Sequence, residues 1–181
     1  MSVGEFPQAV LFCCDHNAVR SPMTEALMKK FYGQRAYVQA AGVKNDMEID
    51  GFSVAVCAEM GIELSRHRSR SFEEMQELGD DLGQYDLIIA LSARSKSQAL
   101  DLTKHYHLTV EYWPIIDPTS LGGDTREAKM AAYRQVRDQI RDLSASLSIP
   151  DLIKEGSVAY GMQSFDQSLM SWCSRGVISY E

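Results

Sequence analysis

The 181-residue chain carries a formal net charge of −7 and an isoelectric point near 5.1, with 45% apolar and 24% charged residues. This is ordinary for a single folded domain, and the acidic balance argues against general binding to nucleic acid or to an anionic membrane. No apolar stretch approaches the length of a membrane span, and Met1-Ser2-Val3-Gly4-Glu5 lacks both a basic start and an apolar run. The four cysteines (Cys13, Cys14, Cys57, Cys173) show no zinc-like spacing, so reduced thiols in a cytoplasmic protein without metal or other cofactor are expected.

Ala9 to Cys13 has the length and apolar content of a buried strand. Ser21-Pro22 reads as an N-cap with proline at the first helical position. Met23, Ala26, Leu27 and Phe31 then form one apolar helical face that ends near Gly33. Tyr37 to Ala41, closed by Gly42, predicts a second strand, and Phe52, Val56 and Met60 predict a helix stopped by Gly61. The basic run Arg66-His67-Arg68-Ser69-Arg70 reads as a solvated loop, with a docking surface as the alternative, and Phe72 to Leu78 as a short helix. Tyr85 to Leu91 is the clearest buried strand. Ser92 caps the next helix, with Ala99 and Leu100 on its inner face. Leu108 to Trp113 is a fourth strand; His105 and His107 read as surface residues and Trp113 as core. The loop from Pro114 to Gly123 contains Asp117-Pro118. Asp124 and Glu127 have capping-box spacing for a helix to about Leu143, with Tyr133, Val136, Ile140 and Leu143 inward. From residue 150 to 181 the composition changes, and this is set apart as a C-terminal extension of a domain spanning 1–149, with an added helix near Phe165 to Trp172 or a loosely held tail.

Strands alternating with helices predict an α/β sandwich around a parallel sheet, whose sites lie beyond the carboxyl ends of the strands. The loop Cys14-Asp15-His16-Asn17-Ala18-Val19-Arg20-Ser21 leaves such an end, as does the Asp117 loop. Inward backbone N–H groups and a helix N-terminus suit a tetrahedral oxyanion, with the Cys14 sulfur beneath it. Arg20 can grip two oxygens at once, and Ser21 can hydrogen-bond a thiolate. Cys13 reads as core, and Asn17 as a loop residue tolerant of left-handed dihedrals.

Cys14-x5-Arg20-Ser21-Pro22, with Asn17 inside it, resembles the phosphate loop of the low-molecular-weight protein tyrosine phosphatases. Asp117-Pro118, Ala41-Gly42 and the Gly61-Ile62-Glu63-Leu64-Ser65…His67 stretch are also similar to that family. The resemblance covers about Ala9 to Leu143. It implies a three-layer α/β sandwich with a four-stranded parallel sheet in flavodoxin-like order 2-1-3-4, and a metal-free two-step phosphomonoesterase. It also implies Cys14 as nucleophile, Arg20 as phosphoryl clamp and Asp117 as acid and base, with Asp15, His16, Asn17, Ala18, Val19 and Ser21 forming the anion loop. The partner would be a phosphorylated protein or small aryl phosphate, with inorganic phosphate as product.

Five positions depart from the family pattern. His16 stands for glycine, Val19 for a second loop cysteine, Ala40 for a serine that would support Asn17, and Thr119 for an aromatic residue after Asp-Pro; Asp15 places a carboxylate beside the nucleophile. Two further readings are therefore kept: arsenate reduction with an external small thiol, and a catalytically weak phosphate- or phosphopeptide-binding module.

Overall fold

The computed structural model describes residues 7–33, 35–121 and 123–159, with side chains through residue 145. Pro7–Ser144 forms one compact unit; beyond it, residues 146–159 are described only as helical backbone. Four parallel strands, β1 (Ala9–Cys14), β2 (Tyr37–Gly42), β3 (Leu87–Ala90) and β4 (Thr109–Tyr112), lie in the order β2-β1-β3-β4, as the resemblance implies. In the register Cys14 faces Gly42, and Cys13 faces both Ala41 and Ala90.

Among the described residues five α-helices connect and follow the strands: α1 (Arg20–Tyr32), α2 (Gly51–Ala58), α3 (Phe72–Glu77), α4 (Ala93–Leu102) and α5 (Arg126–Ala159). Side-chain alternation along a strand serves two layers. Leu11, Cys13, Ala41, Ile88 and Ala90 pack with Phe72 and Met75 of α3 and Ala99 of α4. α1 packs on β1 and β2, with Met23, Leu27 and Met28 fully buried. Helix α5 reaches α2 through ring contact of Tyr133 with Phe52 and through Arg137, which donates to the Val56 carbonyl at 3.0 Å. The order reverses between β1 and β3, so their carboxyl ends open a crevice at the switch point.

Several local expectations are corrected. The cap of α1 is Val19, with no side-chain hydrogen bond, because the Ser21 hydroxyl has tertiary partners instead. Phe31 and Leu100 are exposed at 43% and 46%, so the inward residues are Met23, Leu27 and Met28 in α1 and Ala99 in α4. Thr125, not Asp124, caps α5 by accepting the Ala128 N–H at 3.2 Å, and the helix continues past Leu143 to Ala159. Ser92 does cap α4, in a reciprocal box with Ser95. Tyr133, Val136 and Ile140 are buried as expected and Leu143 half-buried. The helix or tail expected near Phe165 to Trp172 lies outside the described residues.

Candidate active site

The loop from Cys14 to Arg20 connects the carboxyl end of β1 to the first turn of α1. Its path requires two backbone accommodations. Asn17 has a positive φ of 53°, a region that asparagine enters more readily than most residues. Gly42, at the end of β2, lies under the loop. A Cβ there would meet the Asn17 nitrogen at 2.8 Å, the His16 carbonyl carbon at 2.9 Å and the Lys44 oxygen at 2.3 Å. Only glycine lets the two backbones approach this closely. Val43 and Lys44 donate N–H bonds to the Cys14 and Asp15 carbonyls, and Asp50 donates to Ala18.

Polar contacts behind the loop hold it in place. Cys14 Sγ lies 3.0 Å from Ser21 Oγ, which donates to the Ala41 carbonyl at 3.2 Å and accepts from Asn17 Nδ2 at 2.9 Å. Asn17 Oδ1 accepts the Arg70 N–H at 2.9 Å and lies 3.0 Å from His67 Nε2. The Asn17 carbonyl accepts from Ser69 Oγ at 2.9 Å. Because both neighbours of His67 Nε2 are acceptors, that nitrogen carries the proton. Burial lowers the His67 pKa against the opposing pull of Glu25, whose Oε2 is 3.8 Å from Nδ1. The basic run is therefore only partly a solvated loop: Arg66 and Arg68 are exposed, while His67, Ser69 and Arg70 turn onto the loop.

Arg20 is buried at 6% exposure, and its guanidinium gathers both sequence-predicted carboxylates. Nη2 is 2.9 Å from Asp15 Oδ2 and 3.2 Å from Asp117 Oδ2. Nη1 donates to the Ile115 carbonyl at 3.2 Å and the Leu91 carbonyl at 3.5 Å. The other oxygen of Asp15 accepts from Ser92 Oγ at 2.7 Å. Asp117 Oδ1 accepts from Thr119 at both N (3.0 Å) and Oγ1 (2.7 Å), capping the short 3-10 turn Pro118–Ser120. Asp117 thus reaches the cysteine loop, which chain position alone does not reveal.

The remaining loop residues differ in role. His16 Nδ1 meets Asp46 Oδ1 at 2.6 Å, and this bond holds the Asp46 carboxyl below its ordinary range. Ala18 and Val19 are buried apolar positions. Burial drives the Cys13 thiol strongly upward, as suits a core cysteine on the opposite side of the strand from Cys14. Burial, the Asp50 carboxylate it hydrogen-bonds and nearby Asp117 raise Tyr133, so it remains a neutral donor between α5 and the α2 cap. A cavity of about 520 Å³ lined by Asp46, Met47, Glu48, His67, Arg68 and Glu74, among others, lies beside the loop. Ser92, Thr119, Ser69 and Arg70 are site residues that the sequence reading missed, since each meets its partner only through a tertiary or local turn contact.

A doubly wound four-stranded sheet with a Cys-x5-Arg loop after its first strand defines the class of cysteine-dependent phosphatase folds. The profile of the low molecular weight phosphotyrosine protein phosphatases matches residues 9–157, and the chain belongs to that family. An arsenate reductase of Halalkalibacterium halodurans is 31% identical over 133 residues, covering 74% of this chain and 89% of that protein. A low molecular weight protein tyrosine phosphatase from T. tengcongensis superposes with a TM-score of 0.61 at 23% identity, covering 77% of this chain and 97% of the other. The YwlE arginine phosphatase from Geobacillus stearothermophilus gives 0.61 at 23% identity, covering 85% and 97%. At these identities the two superpositions speak for the fold alone. Among the described residues no helix is long and apolar enough to cross a membrane.

Proposed function

We propose that this chain is a cysteine-dependent phosphomonoesterase acting on aryl phosphates, phosphotyrosine in proteins among them, through a phosphocysteine intermediate. The supporting observation is that one loop holds Cys14 Sγ against Ser21 Oγ and that its Arg20 guanidinium meets the Asp117 carboxylate, brought from a second, distant stretch of chain. Ser21 has a single hydroxyl proton. With Cys14 as a thiol, S–H donates to Oγ and the hydroxyl donates to the Ala41 carbonyl. With a thiolate, the same hydroxyl turns to sulfur. The thiolate attacks phosphorus, the P–O bond to the leaving group breaks, and Asp117 in its acid form protonates the departing oxygen. Asp117, now a carboxylate, takes a proton from water as that water attacks phosphorus, the S–P bond breaks and inorganic phosphate leaves. Loop N–H groups and Arg20 hold the equatorial oxygens through both steps.

The test is hydrolysis of para-nitrophenyl phosphate without added metal. Cys14→Ser abolishes turnover while inorganic phosphate still binds, and Asp117→Asn lowers kcat on the order of 10²- to 10³-fold. A wild-type protein that binds phosphate and does not hydrolyse the ester refutes the phosphatase and leaves arsenate reduction or the binding module. Arsenate reduction is the second reading, favoured by the names of the relatives. It needs a further thiol to resolve the arsenylated cysteine. Among the described residues, Cys13 and Cys57 are buried, and burial pushes Cys57 up to about 11. Cys173 lies outside the described residues; in this reading the reductant is taken to be an external small thiol, and arsenate-dependent oxidation of glutathione distinguishes it.

A further inference from the structure

Asp15 is a carboxylate next to the nucleophile, beside a site that must attract a phosphoryl dianion, so on charge alone it works against the proposed reaction. Its contacts account for it. One oxygen accepts from Arg20 Nη2 at 2.9 Å, and the other accepts from Ser92 Oγ at 2.7 Å. Ser92 is itself fixed, since the same Oγ accepts the Ser95 N–H at 3.1 Å as the cap of α4. The Asp15 backbone is fixed as well, its carbonyl accepting the Lys44 N–H at 2.9 Å. A rigid connection therefore runs from the β3–α4 turn through Asp15 to the guanidinium. On the other side, Nη1 is held by the Leu91 and Ile115 carbonyls, which follow the ends of β3 and β4. Of the four Arg20 acceptors, Asp117 stands on the most open part of the site, its side chain 34% exposed against 26% for Asp15.

We propose that Asp15, anchored by Ser92, is a positioning residue for Arg20: it fixes the plane of the guanidinium for the transferring phosphoryl group at a cost in ground-state anion affinity. The kinetic part rests on the phosphatase reading; the positioning itself does not. A donor aimed in advance at the transferring group acts on kcat, whereas the negative charge beside the anion site acts on binding. Asp15→Asn removes the charge and keeps the shape. It retains only one acceptor oxygen for two donors.

Three readouts compare wild type with Asp15→Asn and Asp15→Ala. Calorimetric titration with inorganic phosphate gives Kd, para-nitrophenyl phosphate gives kcat and KM, and ¹⁵N NMR of the arginine side chains gives the rotational freedom of the Arg20 guanidinium. Both variants are expected to bind phosphate as tightly as wild type or several-fold tighter. Their kcat falls on the order of 10- to 100-fold, as misplacement of an aligned group does. Arg20 rotation, restricted in wild type, is released. A variant with kcat within twofold of wild type, or with Arg20 still restricted, overturns the proposal. So does phosphate binding that weakens in step with kcat, because that is general loss of the loop. If wild type turns nothing over, the phosphatase reading fails, and Kd together with Arg20 rotation still decides the role of Asp15.

Discussion

Replacement of Asn17 tests how the loop is held. The side chain is fully buried, its backbone has φ of 53°, and its amide serves three partners: Arg70 N–H and His67 Nε2 at Oδ1, and Ser21 Oγ at Nδ2. Asn17→Ala removes all three bonds, each worth about 1 kcal/mol net, and leaves the Arg70 N–H without its acceptor in a half-buried place. It also places a residue with a Cβ and no local polar compensation in the left-handed region, at roughly 1 kcal/mol. The expected loss is about 4 kcal/mol, a large fraction of the stability of a domain this size. Asn17→Gly loses the same bonds and not the dihedral cost, so it is expected roughly 1 kcal/mol more stable than Asn17→Ala, despite the added freedom of its unfolded chain. Urea unfolding followed by tryptophan fluorescence measures both. An Asn17→Ala protein within 1 kcal/mol of wild type refutes the network as a source of stability. A glycine variant less stable than the alanine one refutes the backbone argument.

Gly42→Ala forces backbone atoms of residues 16, 17 and 44 apart, so about 2–3 kcal/mol of stability and most phosphate affinity are expected to be lost together; calorimetry with inorganic phosphate checks the second effect. Thr119→Ala removes the hydroxyl donor to Asp117 and leaves the backbone one, so kcat for para-nitrophenyl phosphate should fall roughly 3- to 10-fold with KM little changed. The depressed pKa of half-buried His67 makes stability depend on pH. The unfolded chain binds the proton more readily, so the contribution is complete above the ordinary histidine value of 6.5 and is lost as the pH falls through the lower folded value. Urea midpoints compared at pH 7 and pH 5 should therefore differ less in His67→Gln than in wild type; an unchanged difference refutes the assignment.

The strand, loop and helix around Cys14 were legible because each carries a local signal: an apolar run, a break in periodicity and a resumed apolar face. What failed was any feature set by a distant partner. Ser21 has the composition of an N-cap, yet its hydroxyl is taken by Cys14, Asn17 and the Ala41 carbonyl, so the helix begins two residues earlier without a side-chain cap. His67, Ser69 and Arg70 lie in a run that reads as solvated because positive charge dominates it. Their contacts with Asn17 span 50 to 53 residues, and no periodicity encodes such a distance. The end of α5 differs as well: the apolar stripe ends at about Leu143, and the helical backbone runs on to Ala159.

The departures from the family pattern are the positions where neighbouring residues compensate. Ala40 cannot support Asn17, and the Asn17 amide is instead occupied by Arg70, His67 and Ser21. His16 stands in place of glycine, and its ring is bound by Asp46 on the loop after β2. Thr119 offers no ring to a substrate; its hydroxyl and N–H both orient the Asp117 carboxylate. Asp15 is answered by Arg20 and Ser92. Val19 and Ala40 are apolar, whereas Asp15, His16 and Thr119 each bring in a polar group, and each of those three has a named partner. A loop drifting out of use would accumulate buried polar groups without partners, at about 1–3 kcal/mol apiece. The pairing of these substitutions with Ser92, Asp46 and Asp117 therefore argues that the loop geometry has been maintained around an altered set of side chains.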